Sequence, residues 1–394
     1  MSIDPVVIAA YARTPMGAFQ GALSPLTTTE LGAAAVRGAM ERSGLPAECV
    51  AQIIMGCVLP GGLGQAPARQ AALGGGLPLS TQATTVNKMC GSGMQAAIMA
   101  HDAIAVGSAD VIVAGGMESM SNAPYLLAKH RTGARIGHDV VKDSLYFDGL
   151  EDAYTPGKLM GAFADDSARA FRFSREAQDR YALESLARAQ RAIDTGAFER
   201  EITPVPVPVR GGGHEVAIDE QPGKARPEKV PSLRPAFADG GTITAANASS
   251  ISDGAAALVM LRSSIAETYG VKPIARVVAH AGHAQDPGQF TTAPVPAIRK
   301  VMGKAGWSVN DVDLFEVNEA FAVVAMIAMH ELGLPRDKLN VNGGATALGH
   351  PIGASGARIL VTLIAALQNR GLKRGVAALC IGGGEATAMA VELI

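Results

Sequence analysis

The chain has 394 residues, enough for two or three domain-sized units around a substantial core. Hydrophobic residues make up 48% and aromatics only 4%, and 46 glycines fit an α/β protein with many tight strand–helix corners. A net charge of −2 gives no footprint for nucleic acid or a membrane surface, and the four scattered cysteines form neither a disulfide framework nor a zinc-ligand spacing.

The first residues, Met1-Ser2-Ile3-Asp4-Pro5, run straight into a predicted strand at Val6-Val7-Ile8-Ala9-Ala10. They show neither a basic end nor a signal-peptide core, and no apolar run approaches a membrane span. A cytoplasmic protein in a reducing compartment is the expectation. A second strand is predicted at Ile53–Gly56. Then comes Thr84-Thr85-Val86-Asn87-Lys88-Met89-Cys90-Gly91-Ser92-Gly93-Met94, a short β-type run that ends at a cysteine and opens a long apolar helix. Gly91 and Gly93 let the backbone turn sharply and leave room for a substrate. A cysteine at such a corner meets the unpaired N–H groups of the helix N-terminus, a setting expected to lower its pKa and make it a nucleophile. A small core residue is the ordinary role of a lone cysteine; the glycines and a matching second site tip the reading toward chemistry.

Ala109–Gly116 is the next strand. From near Ser119 to near Ala248 the sequence turns polar and irregular, with one clear helix from Arg175 to about Thr195, capped by Ser174 and stopped by Gly196. Extended Pro204–Pro208 and a turn at Gly211-Gly212-Gly213 follow. A segment this long at a strand end reads as a lid or substrate-binding region. Ala255–Leu261 resumes the sheet.

From Pro273 the pattern repeats. Pro273–Ala279 matches the opening strand, and Gly306-Trp307 followed by Leu314–Val317 matches Gly44-Leu45 followed by Ile53–Gly56. Ser355-Gly356 and its helix match Ser92-Gly93, and Val376–Gly383 matches Ala109–Gly116. The final strand, Ala386–Leu393, follows its glycines directly, whereas its counterpart lies beyond the insertion. Two α/β units with mixed or parallel sheets, layered αβαβα with sites facing each other near a pseudo-two-fold, are predicted.

The repeat also gathers candidate chemistry. Asn318 follows the strand at Glu316-Val317, where a helix N-cap is its ordinary explanation. His350 is the only one of eight histidines in a glycine-rich loop, Asn342–Gly356. Cys380 ends a buried strand before Gly382-Gly383-Gly384, whose N–H groups suit an oxyanion. A thiol beside an imidazole suits covalent acyl transfer, and a second thiol makes sense where another proton moves during carbon–carbon bond formation or cleavage beside a thioester. Gly91-Ser92-Gly93-Met94-Gln95-Ala96 also matches a dinucleotide-binding pattern, but the acidic residue expected about 20 residues on is missing after its strand.

From first strand to last, the chain resembles the thiolase family. The likeness is carried by Val86–Met94, Gly115-Gly116-Met117-Glu118-Ser119-Met120-Ser121, Asn318-Glu319-Ala320-Phe321, Gly349-His350-Pro351-Ile352-Gly353 and Cys380–Gly384. The resemblance implies a duplicated αβαβα fold: an N-terminal half at 1–118 plus 249–270, an inserted loop domain that binds coenzyme A at 119–248, and a C-terminal half at 271–394. It implies that Cys90 takes the acyl group, that His350 activates it, and that Cys380 moves the proton at the second acetyl group. Asn318 is implied to hold a water that forms one oxyanion hole with His350 Nε2; the N–H groups of Cys90 and Gly382 are implied to form the other. Leu150, Met160, Phe237, Ala245, Ser249, Ile251, Ala320 and Phe321 stand where the family binds coenzyme A, with Lys224 and Arg226 near its phosphates.

Two positions depart from the family pattern. Leu159-Met160 stands where the acetoacetyl-CoA-specific branch carries His-Met, which points toward longer acyl chains, while Phe290 fills space in the acyl pocket. Glu385-Ala386-Thr387 replaces the usual methionine or glutamine followed by glycine. The expectation is an acetyl-CoA C-acetyltransferase that condenses two acetyl-CoA to acetoacetyl-CoA and coenzyme A, reversibly. A degradative 3-ketoacyl-CoA thiolase acting on longer chains is the alternative. A condensing synthase of the same superfamily fits less well, because such enzymes lack the second cysteine, and a non-enzymatic acyl-CoA-binding protein has no use for the full set. No metal or tightly bound cofactor is implied, and a homo-oligomer, dimer or tetramer, is.

Overall fold

A computed structural model describes residues 4–209 and 212–394. The opening residues Met1–Ile3 and part of the turn expected at Gly211–Gly213 therefore lie outside the described residues.

The N-terminal half runs β1 (Val6–Arg13), α1 (Thr28–Ser43), β2 (Gln52–Gly56), α2 (Pro67–Gly74), β3 (Gln82–Val86), α3 (Ser92–Ala105) and β4 (Val111–Ser119). Its last strand, β5 (Ser252–Arg262), comes after the insertion. The C-terminal half runs β6 (Ala275–Ala284), α6 (Pro294–Ala305), β7 (Leu314–Val317), α7 (Ala322–Leu332), α8 (Ser355–Arg370), β8 (Arg374–Ile381) and β9 (Glu385–Leu393). Within the insertion lie α4 (Met160–Ala170) and α5 (Arg175–Asp194), with a small hairpin of Val205–Val209 on Gly212–Val216. Helix α5 carries the start and stop signals expected of it: Ser174 accepts from the Ala177 N–H, and Gly196 follows at φ +70°. Helix α4 has no such signal, since its start has no side-chain cap.

The two halves do not form separate sheets. Their strands join in the order β7-β8-β9-β6-β1-β5-β4-β2-β3, with short Gly17–Ala18 alongside β5. The seam is antiparallel, Val7 facing Arg276 and Ile8 facing Ala275. The order is a palindrome about that seam, because each half repeats the same internal pairing. Parallel β2–β4 answers parallel β7–β8, and antiparallel β4–β5 answers antiparallel β8–β9. Even the register irregularities correspond, between Ile8 and Ala10 in β1 and between Val277 and Ala279 in β6. In the C-terminal half the place of β3 is reduced to a parallel bridge between Phe315 and Leu339.

Three core clusters give the layers. α1 and α2 cover one outer face through Leu31, Val36, Ala68 and Ala71, and α6 and α7 cover the other through Ile298, Val301, Val324 and Ile327. α3 and α8 fill the middle with Met94, Ile98, Leu360 and Leu363. Strands covered on both faces become continuous apolar runs; every residue of β4 is buried. The middle pair approaches closely because each helix begins with a glycine of the repeat. A Cβ on Gly93 would stand 2.7 Å from the Ala357 N, and one on Gly356 would run into the Met94 backbone.

The insertion is tied to both halves by buried charge. Arg13 at the end of β1 bonds Glu201 at 2.5 Å and Asp219 at 2.6 and 2.8 Å. Glu319 accepts from Tyr181 and Ser185 of α5 and from Asn340 and Thr346 of the C-terminal half. These bonds fix the insertion over the sheet ends where the candidate residues lie.

Candidate active site

The Cys90 corner is set by local bonds. After β3 the Asn87 side chain accepts from the Met89 N–H at 3.0 Å, and Ser92 Oγ accepts from the Lys88 N–H at 2.9 Å while donating to the Met89 carbonyl at 2.6 Å. Met89 takes a left-handed φ of +47°, which throws Cys90 outward at the mouth of α3. Lys88 Nζ pairs with Glu385, the residue that departs from the family pattern, and so links this corner to the start of β9.

The other half brings three segments to the same place. His350 follows Gly349, at φ +108°, and its N–H donates to the Ser250 carbonyl at 3.1 Å. The loop beyond it is fastened by Glu118, which accepts from the N–H groups of Val58, Leu59 and Gly353 at 3.0, 3.2 and 2.9 Å. Gly382, just past β8, aims its N–H at the Cys90 sulfur, as does the Cys90 N–H itself. Two backbone donors from opposite halves thus converge on one Sγ.

Cys90, His350 and Gly382 line a cavity of about 340 Å3. All eight residues expected to bind coenzyme A line it as well: Leu150, Met160, Phe237, Ala245, Ser249, Ile251, Ala320 and Phe321. Met120, Tyr146, Leu159, Phe290 and Ile352 complete much of the apolar wall. Cys380 and Asn318 are not on that wall; each is only 1% exposed. Cys380 is still within electrostatic reach of Cys90. Asn318 has its Nδ2 3.5 Å from His350 Nε2. A second cavity of about 300 Å3 shares Ala245 and Ser250 with the first and is edged by Lys224, Arg226 and Lys229.

Burial overturns one expectation. The helix mouth was to lower the Cys90 pKa, but desolvation pushes the thiol up to about 11 against the pull of the Gly382 and Cys90 N–H groups. Desolvation likewise holds the Cys380 thiol well above its ordinary value, with the nearby Cys90 adding to the effect. It takes His350 down to about 3, with the Arg358 charge acting in the same direction. At neutral pH the site therefore rests as two thiols and a neutral imidazole, not as a thiolate–imidazolium pair. The helix effect is small beside the loss of water.

Hydrogen bonding also sets the imidazole tautomer. Ser355 Oγ donates to the Pro351 carbonyl at 2.9 Å and lies 2.5 Å from His350 Nδ1. With its one proton spent on the carbonyl, the hydroxyl accepts from Nδ1–H, which leaves the lone pair on Nε2. Nothing in the sequence marked Ser355 as the partner of His350, though its place in the repeat set it at the start of α8. Nor is Asn318 the helix cap considered for it, since α7 begins four residues later at Ala322. Among the described residues, one group has metal-ligand spacing: His101, Asp102 and His280, with ligand atoms within 4.8 Å of one another. It lies outside the cavity lining, and Asp102 Oδ1 already accepts from both imidazoles at 2.9 Å.

A half-buried thiol under two N–H groups, next to a neutral base in an apolar cavity, is equipped to take an acyl group and hold its tetrahedral oxyanion. Residues 6–264 match the thiolase N-terminal domain and residues 271–393 the thiolase C-terminal domain. The chain is 49% identical over 400 residues to acetyl-CoA acetyltransferase 2 of Arabidopsis thaliana, covering 100% of this chain and 98% of that one. It is 47% identical over 392 residues to the cytosolic acetyl-CoA acetyltransferase of Mus musculus, covering 99% and 98%. The crystal structure of the Bacillus anthracis acetyl-CoA acetyltransferase superposes with a TM-score of 0.97 at 40% identity, covering 100% of this chain and 99% of that one. A thiolase from Ascaris suum in complex with coenzyme A superposes with a TM-score of 0.94 at 41% identity, covering 99% and 100%. With both domains matched in order and relatives alike along their whole length, the chain belongs to the thiolase family.

Proposed function

We propose that the chain is an acetyl-CoA C-acetyltransferase that interconverts two acetyl-CoA with acetoacetyl-CoA and coenzyme A through an acyl-Cys90 intermediate. The observation that carries the roles is the convergence of Cys90 from one half with His350 and the Gly382 N–H from the other on one cavity.

In the cleavage direction the Cys90 sulfur attacks the ketone carbon of acetoacetyl-CoA while His350 Nε2 takes the thiol proton. The oxyanion forms beneath the Cys90 and Gly382 N–H groups. As the carbon–carbon bond breaks, the electron pair passes to the departing acetyl-CoA carbon, which takes a proton from Cys380, and the acetyl group stays on Cys90. Coenzyme A then gives its thiol proton to the Cys380 thiolate, attacks the acyl-cysteine and leaves as acetyl-CoA. Cys90 regains its proton from His350. Both thiols rest protonated, so each proton transfer is coupled to attack or bond cleavage rather than completed beforehand.

Coenzyme A enters as substrate, with its pantetheine in the first cavity and its phosphates toward Lys224, Arg226 and Lys229; no other cofactor is needed. Leu159 in the cavity wall supports the rival reading, a 3-ketoacyl-CoA thiolase for longer chains, while Phe290 opposes it by occupying space. Thiolysis rates across 3-ketoacyl-CoA chain lengths separate the two: a clear preference for ten carbons over four overturns the short-chain reading. Intact mass after mixing with acetyl-CoA tests the intermediate, which must be absent in Cys90→Ala. A homo-oligomer in the cytoplasm, dimer or tetramer, completes the reading. Light scattering and fractionation test that part.

A further inference from the structure

Behind the cavity wall lies a buried arginine–glutamate pair outside the chemistry above. Arg358, on the second turn of α8, is completely buried, and its Nη1 stands 3.9 Å from Glu316 Oε2 at the end of β7. Among the described residues the guanidinium makes one hydrogen bond, from Nη2 to Asn318 Oδ1 at 3.3 Å, while Nε and Nη1 make none. A buried arginine that spends its only hydrogen bond on a residue touching His350 is poorly explained as mere structural cement, because desolvating the charge is expensive.

A guanidinium can only donate, so Asn318 must turn its oxygen toward Arg358 and its nitrogen toward His350. At 3.5 Å that N–H donates only a long, weak bond to the Nε2 lone pair, enough to orient the ring and readily given up to the proton of the Cys90 thiol. Were the amide reversed, an oxygen would face both the lone pair and the negative charge that forms during the reaction. We propose that Arg358 is a positioning residue, which locks the Asn318 amide with its N–H side toward His350 and so keeps base and donor aimed into the cavity. The charge has a second consequence: it disfavours a proton on His350. The other groups around the loop are Glu316 beside Arg358, Glu118 on the Gly353 N–H, and Cys90 across the cavity. This inference rests on the proposed roles of Cys90 and His350.

The test uses Arg358→Gln combined with Glu316→Gln, which removes the guanidinium together with a carboxyl that burial raises to about 8, and so leaves no lone buried ion; such neutral replacements are usually tolerated. The kcat for acetoacetyl-CoA thiolysis is expected to fall about ten- to a hundredfold, the scale of a lost alignment, with KM within about threefold. Arg358→Lys keeps the charge but not the fork, and its kcat should fall too. A second measurement needs no substrate: alkylation of Cys90 by iodoacetamide, followed by mass between pH 8 and pH 5. A neutral His350 acting as base keeps the wild-type rate from falling tenfold per pH unit across that range, and Glu118, raised by burial to about 7, titrates in wild type and variants alike. Burial keeps His350 low in every variant, but without the Arg358 charge it protonates more readily, so the double variant's rate should begin to fall at a higher pH than that of wild type or of the lysine variant. A role confined to structure moves stability and not these profiles.

Double-variant kcat within twofold of wild type overturns the inference and leaves the function standing. Wild-type alkylation that falls tenfold per pH unit shows a thiol titrating alone; the His350 role then fails, and this inference with it.

Discussion

Glu319→Gln is the sharpest test of how the insertion is held over the active site. The carboxylate is fully buried and its two oxygens accept five hydrogen bonds. Oε1 takes Tyr181 Oη at 2.9 Å and Asn340 Nδ2 at 2.8 Å. Oε2 takes Ser185 Oγ at 2.7 Å, the Thr346 N–H at 3.2 Å and Thr346 Oγ1 at 2.6 Å. Hydroxyls can rotate to meet an amide, but the Asn340 amide and the Thr346 N–H cannot stop donating. Whichever way a glutamine sits, its NH2 faces one of them. One orphaned donor costs about 1–3 kcal/mol, and the bonds that remain lose the extra strength of a charged acceptor. The expected loss of stability is about 2–4 kcal/mol, all of it at the contact between α5 and the C-terminal half. Trp307 is the only tryptophan, and it packs beside Arg374 in that half, so urea unfolding followed by its fluorescence reads the change. A folded variant less than about 1 kcal/mol below wild type would refute the claim that Glu319 holds the insertion down.

Three further outcomes follow from the same geometry. Gly356→Ala forces a Cβ against the Met94 backbone where α3 and α8 meet, and should cost about 1–3 kcal/mol or more, whereas Gly303→Ala, with open space around its position in α6, should be neutral or stabilising in the same thermal melt. Phe290→Ala opens the cavity wall beside Phe163 and Phe321; it should raise the thiolysis rate on longer 3-ketoacyl-CoAs relative to acetoacetyl-CoA, at a stability cost of about 3–5 kcal/mol. Glu118 is raised by burial from its ordinary 4.5 to about 7, so the folded state binds its proton more tightly than the unfolded chain. Its contribution is full below about pH 4.5 and is lost as pH rises through 7, on the order of 3 kcal/mol over that window. Glu118→Gln should flatten the fall in stability between pH 5 and pH 7, and urea titrations at the two ends measure it.

The sequence by itself determined the repeat, its strands and helices, and the residues that gather at the site. Those signals are local: period and turn chemistry write Ala109–Gly116 as a strand and Ser174 as a cap, and duplication lets one half be read from the other. Cys90, His350 and Gly382 were visible because glycine-rich corners carry them. Tertiary structure decided what no local pattern encodes. It joined the two halves into one sheet through a short seam of β1 on β6, a pairing set by long-range packing rather than strand propensity. It also placed Arg358, Glu316 and Glu319, charged residues that a sequence reading assigns to solvent, in the interior, where their partners come from segments distant along the chain. The protonation state of Cys90 belongs to the same class. A thiol's affinity for its proton depends on how much water the assembled fold removes from around it, and that quantity exists only once both halves and the insertion have closed over the sulfur.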